Sequence, residues 1–105
     1  MLFFDMFTHN EILSAVCLAF GIPMKDLLSK SQKRHLFYAR VIAAHLLHTH
    51  LELSSTKVGM LLCRNHATVL HYYKTFDIWI EHTWLNKEPL TYFVKVDDIL
   101  NGKAE

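Results

Sequence analysis

The residues whose types and spacing could do chemistry lie together at Arg64-Asn65-His66-Ala67-Thr68-Val69-Leu70-His71. Asn65 can cap a helix, because its side-chain oxygen can accept from the free amide two or three residues on, where Thr68 stands. Val69, Tyr73, Phe76 and Ile80 then follow at helical spacing, so the buried face is expected to begin only after the first turn. The polar side chains ahead of it are left free. A helix N-terminus that presents Arg, Asn, His and Thr has the donors, the acceptors and the dipole sign to meet phosphates and base edges. No nucleophile, base and orienting acid fall together elsewhere, so the chemistry expected is recognition and not catalysis.

The charge distribution agrees with a polyanionic partner although the total does not. Formal net charge is +1. Between Lys25 and Lys74 there are eight basic residues against Asp26 and Glu52, a net of +6. Residues 1 to 24 carry −2, and residues 76 to 105 carry three lysines against six acids, −3. A basic middle between acidic ends favours approach of a polyanion to one side.

The elements that must position these residues follow from capping and periodicity. Thr8 with Glu11 has capping-box spacing, Ile12, Val16, Leu18, Ala19 and Phe20 supply an apolar pattern, and Gly21 is the expected left-handed cap. Pro23 can open a short second helix through Leu28, followed by the basic loop Ser29-Lys30-Ser31-Gln32-Lys33-Arg34. From Gln32 or Lys33 to His50 the pattern Leu36, Ala39, Ala43, Leu46/Leu47 predicts a long amphipathic helix, the spine of the domain. Ser54 or Ser55 caps a two-turn helix with Val58, Met60, Leu61 and Leu62, Cys63-Arg64 makes a tight turn, and the next helix runs from Asn65 to about Trp84. A short helix, a turn and a second helix with a polar leading turn is a helix-turn-helix. Asn86 to Pro89 should break the helix, with a last helix over Thr91 to Leu100, although Tyr, Phe, Val and Thr there would also suit a strand.

At 105 residues, 51% hydrophobic, with three glycines and no repeats, residues 1–105 are expected to form a single all-α domain. The apolar start, Leu2, Phe3, Phe4, Met6 and Phe7, must pack somewhere or mark a partner surface. No run approaches the roughly 20 apolar residues of a spanning helix and no basic n-region precedes Leu2-Phe3-Phe4, so a cytoplasmic protein with no membrane partner is expected, nucleoid-associated if its polyanionic partner is DNA. Cys17 and Cys63 form no CxxC pair and read as thiols. His45 and His48 share a helix face, but with no HExxH, no paired cysteines and no third ligand no metal is expected, nor any cofactor.

These features occur in a familiar order. Gly21-Ile22, Asp26-Leu27-Leu28-Ser29-Lys30, Lys33-Arg34, Ala39-Arg40, Ile42-Ala43, Val58-Gly59 and the stretch from Arg64 to His71 together resemble the C-terminal DNA-binding domain of the bacterial replication initiator DnaA, over about residues 10 to 76. Residues 77–105 are then a C-terminal extension. The last stretch is similar to that family's signature, usually written G-R-D-H-T-T-V. The resemblance implies an all-helical domain with a Trp-repressor-like helix-turn-helix. Such a domain reads a short asymmetric DnaA box in the major groove, and a basic loop ahead of the long helix reaches the minor groove.

Carried across by position, Arg64, Asn65, His66, Ala67 and Thr68 form the base-reading turn. Lys30, Gln32, Lys33, Arg34, Arg40 and Lys57 form the backbone and minor-groove set. Asn65 replaces an Asp that can accept from a cytosine amine, and can instead pair with adenine. Ala67 replaces a Thr, keeping a methyl and losing a hydroxyl. Gln32 stands for the minor-groove Arg, which weakens attraction to a narrow groove. Arg40 matches a phosphate-contacting Arg, with an internal salt bridge as the competing role, and Val41 replaces the polar residue after it. Leu62-Cys63 stands where a Gly pair is common, in a turn that reads one residue shorter. With no GxxxxGK[ST] phosphate loop, the expected activity is sequence-selective binding of double-stranded DNA in replication initiation or its regulation, without ATPase activity. The alternative is an interaction module that keeps the fold but binds a replication protein, or itself, through the aromatic helix at Tyr72, Tyr73, Phe76, Ile78, Trp79, Ile80 and Trp84.

Overall fold

Three of the helix starts are fixed by side chains that take over an orphan amide. In the computed structural model, which describes residues 7–102, Thr8 accepts from the Glu11 amide while Glu11 returns to the Thr8 amide, and this reciprocal box opens α1, His9–Phe20. Gly21 closes it at φ 64°, in the left-handed region where a glycine is free of Cβ strain. Pro23 precedes the single turn α2, Met24–Leu27. The spine α3 runs Arg34–Leu51 and ends on Glu52 at φ 55°. Ser54 accepts from the Lys57 amide to start α4, Ser55–Leu62. Asn65 accepts from the Thr68 amide at 2.9 Å to start α5, His66–Glu81. A 3-10 turn at Thr83–Leu85 leads into α6, Lys87–Leu100. Among the described residues there is no strand.

Helix α3 is buried on every side, from Leu36 through Ala39, Val41, Ile42, Ala43 and Ala44 to Leu46 and Leu47. Its alanines allow backbones to come close, and α1, α2, α4 and α5 all pack on it. Helix α6 returns along α1, where Tyr92 stacks on Phe20 at 4.1 Å and Val96 is fully buried. No described helix is long and apolar enough to cross a membrane.

Two expectations change. The buried row of α5 is Val69, Tyr72, Phe76 and Trp79, whereas Ile80 is exposed and Tyr73 only half-buried. The helix carries apolar residues on more than one face, so several registers fit its periodicity; contact with α3 selects the row facing Phe37 and Tyr38. The aromatic helix is therefore divided, with Tyr72, Phe76 and Trp79 in the core and Ile78, Ile80 and Trp84 facing solvent. The second change is at the end of the chain. The last helix begins at Lys87 and includes Pro89, which sits in its first turn, where the missing N–H would have had no partner. Residues 1–6, the larger part of the apolar start, lie outside the described residues; Phe7 packs edge-on against His50 at 5.7 Å.

His45 and His48 of α3 pack against aromatic rings. His45 stacks on Phe76 at 3.7 Å and meets Phe93 edge-on. Burial lowers its pKa to about 4, with Asp77 opposing and His48 and His50 adding to the effect. His48 stacks on Tyr73 and bonds the Leu53 carbonyl. No group of three metal-ligating side chains occurs among the described residues.

Candidate nucleic-acid interface

The turn between α4 and α5 is set by one glycine and one residue in a glycine-like conformation. A Cβ at Gly59 would collide with the Arg64 carbonyl, so the last turn of α4 and the lead into α5 lie in direct backbone contact. The Gly59 carbonyl accepts from the Arg64 amide at 2.8 Å, and Met60 accepts from Cys63. Cys63 takes φ 59°, the left-handed conformation that usually falls to Gly. That conformation is the physical reason a glycine pair suits this turn, and here a cysteine bears the strain.

Beyond the turn, Asn65, His66 and Ala67 are exposed, and Arg64 and Thr68 half-buried. The Asn65 oxygen spends one lone pair on the Thr68 amide, so adenine readout would have to use the other together with the side-chain NH2. His66 and Ala67 stand free at the positive end of the helix dipole.

Across an open cleft of about 540 Å³ lies the loop before α3. Lys30, Gln32, Lys33 and Arg34 are exposed there. The loop backbone is folded by serines: Ser29 Oγ donates to the Asp26 carbonyl and accepts from the Ser31 amide, and Ser31 Oγ accepts from the Lys33 amide. The structure thus brings part of each predicted group to one concavity, Lys30 and Gln32 from the loop and Arg64, Asn65 and Thr68 from the start of α5, while Lys33, Arg34, His66 and Ala67 are exposed but do not line it. Lys57 is exposed in the first turn of α4 and does not line it. Phe37, Arg40, His71 and Tyr72 do line it, and the charge and capping pattern alone did not place Phe37 or Tyr72 in the site. A basic loop and a polar helix start joined by aromatic residues was the available signal.

Arg40 is placed differently from a phosphate contact. Only 3% exposed, it donates to the carbonyls of Leu27 (2.8 Å), Ser31 (2.7 Å), Asp26 (3.1 Å) and Ser29 (2.8 Å). The internal partner is a set of carbonyls, not the acid that a salt bridge would need. Burial, and then the Arg64 charge beside it, push its pKa below the usual guanidinium value.

Residues 9–75, well over half of the chain, match the model of the family described as bacterial dnaA protein helix-turn-helix. The chain belongs to that family. It is 38% identical over 69 residues to the chromosomal replication initiator protein DnaA of Bacteroides fragilis, covering 65% of this chain and 14% of that protein. The corresponding protein of Bacteroides thetaiotaomicron is 38% identical over 98 residues, 92% of this chain and 20% of the relative. A DnaA 2 from Protochlamydia amoebophila is 34% identical over 74 residues, 70% and 16%. The chain thus spans a fifth or less of these initiators. The all-helical architecture, with a short α4, a tight turn and a polar-tipped α5, agrees with membership in this helix-turn-helix family.

Proposed function

We propose that this domain binds double-stranded DNA sequence-selectively at a DnaA-box-like site, in replication initiation or its regulation, with no ATPase or other catalytic activity. The observation that carries the reading is one open cleft lined by Lys30 and Gln32 of the basic loop and by Arg64, Asn65 and Thr68 at the start of α5, with Lys33, Arg34, His66 and Ala67 exposed beside these residues in the chain. Asn65, His66, Ala67 and Thr68 enter the major groove, with His66 the cleanest reader because its ring has no internal partner to lose. Lys30, Lys33, Arg34 and Lys57 meet phosphates, and Gln32 lies at the minor groove. Arg40 supports the loop from within.

A duplex selected from a random library provides the test. His66→Ala should lose about 1 to 3 kcal/mol of binding on that duplex and little on unrelated DNA, and equal loss on both would overturn base readout. In the same titration, Lys33→Ala should weaken binding to every duplex and flatten the salt dependence by about one unit of slope.

A second reading has its own observation. Ile80, Trp84, Leu85 and Val94 are all about half exposed or more, around the joint between α5 and α6, which suits a protein partner or self-association. No duplex binding at low salt, with dimerisation that depends on concentration, would decide for it.

A further inference from the structure

We propose that Arg64 is a positioning residue, whose guanidinium joins the basic loop to the recognition turn through the main-chain carbonyl of Ser29. The inference rests on the DNA-reading function above and changes the role of one residue in it, from touching a base to holding apart and in register the two elements that touch DNA.

The geometry is a three-point clamp. Arg64 Nη1 donates to the carbonyls of Cys63 at 3.0 Å and Leu62 at 3.3 Å, which fastens the guanidinium to its own turn. Its Nη2 donates to the Ser29 carbonyl, 35 residues earlier in the chain. The same carbonyl accepts from Arg40 Nη2 at 2.8 Å. A carbonyl oxygen has two lone pairs, so it can satisfy both cations at once. Arg40 comes from the core helix α3 and Arg64 from the helix-turn-helix, so one backbone atom ties the loop to both.

The charges would separate if they were free. Two guanidiniums at neighbouring positions repel, and this repulsion contributes to the lowered Arg40 pKa. Charge-assisted bonds to convergent carbonyls offset it. A planar fork is required, since one guanidinium spans carbonyls on two segments with two separate nitrogens; an ammonium has no such reach. Released from Ser29, the loop would keep Arg40 but lose its bond to the turn, and the positions of Gln32 and Lys33 relative to His66 would no longer be fixed.

The test measures the free protein first and the complex second. Backbone order parameters for residues 29 to 33 are expected near about 0.85 in the wild-type chain and below about 0.6 in both Arg64→Lys and Arg64→Ala, with α3 unchanged. Both variants should bind the selected duplex about tenfold more weakly while the slope of log affinity against log salt stays within about half a unit of wild type. Unchanged loop order in the two variants overturns the proposal. So does a slope that falls by about one unit in Arg64→Ala and is restored in Arg64→Lys, which would place the guanidinium on a phosphate. A loss confined to one base pair of the site would make Arg64 a base reader and overturns it as well. Arg64→Lys keeps the charge, so the result stands even where Arg64→Ala unfolds. If the wild-type chain binds no duplex the DNA reading falls, and the loop order parameters still decide whether Arg64 holds the loop.

Discussion

At its N-terminal end α5 is fixed by single directional bonds: Asn65 on the Thr68 amide, the Arg64 amide on the Gly59 carbonyl, and the Arg64 guanidinium on Ser29. Thirteen residues on, the same helix is fixed by area. Trp79 meets Tyr38 edge-on at 5.5 Å, and Phe76 packs with His45 and Phe93 in one cluster of three rings. Hydrogen bonds lose strength steeply with angle and distance, so they locate exposed groups that have little packing around them. Apolar contact gives more free energy but tolerates repacking. A helix that must present side chains accurately at one end and anchor itself at the other uses each force where it works.

The comparison breaks most sharply at Gly59. Gly59→Ala places a methyl group against the Arg64 carbonyl and should cost about 1 to 3 kcal/mol in chemical denaturation. It should also weaken duplex binding by more than the lost folded fraction explains, because the turn itself must move. A variant that loses stability but binds normally when folded would show that the turn does not set the interface.

The far end responds to acid. His45 is held neutral by burial, with a pKa of about 4 against an ordinary 6.5. The unfolded chain therefore takes up a proton that the folded one refuses, and stability falls as pH drops from about 6.5 to about 4, then levels off. With partial solvent access discounted, the loss should be about 2 kcal/mol, read from denaturation midpoints across that window. His45→Phe should flatten the profile, and an unflattened profile would assign the acid sensitivity to another group.

The smallest effect returns to the turn. Cys63→Gly removes the strain of a side chain at φ 59° and should add about 1 kcal/mol of stability. Duplex affinity should hold, measured on the same selected site, because the backbone path is unchanged. A fall in affinity would mean that the cysteine side chain itself contributes to the interface.

What was legible in the sequence was local. The Thr8 and Glu11 box, the Gly21 stop and the Asn65 cap each join residues at most four apart and are present where the spacing placed them, and of the two serines offered as the cap of α4 it is Ser54. The register of α5 was not legible, because a helix with Tyr72, Tyr73, Phe76, Ile78, Trp79 and Ile80 offers more than one apolar face and only the neighbouring helix chooses. The arginines were legible as cations but not as clamps. Their acceptors are main-chain carbonyls, which every residue carries, and those on the loop side come from 9 to 35 positions away. No side-chain pattern marks such a partner. The last helix was found with its start misplaced, since Pro89 reads as a break unless the first-turn exemption is applied to it.

The acceptor at the centre of the loop is a peptide oxygen, and that has a consequence for inheritance. Since the arginines grip main chain, the identities of Lys30, Gln32 and Lys33 do not enter the clamp at all. The path of the loop and the letters it displays are therefore separable: if the loop meets DNA as proposed, substitutions at the exposed positions retune which groove sequence is preferred without rebuilding the scaffold that carries them. A lineage can drift in its target while its arginines stand still.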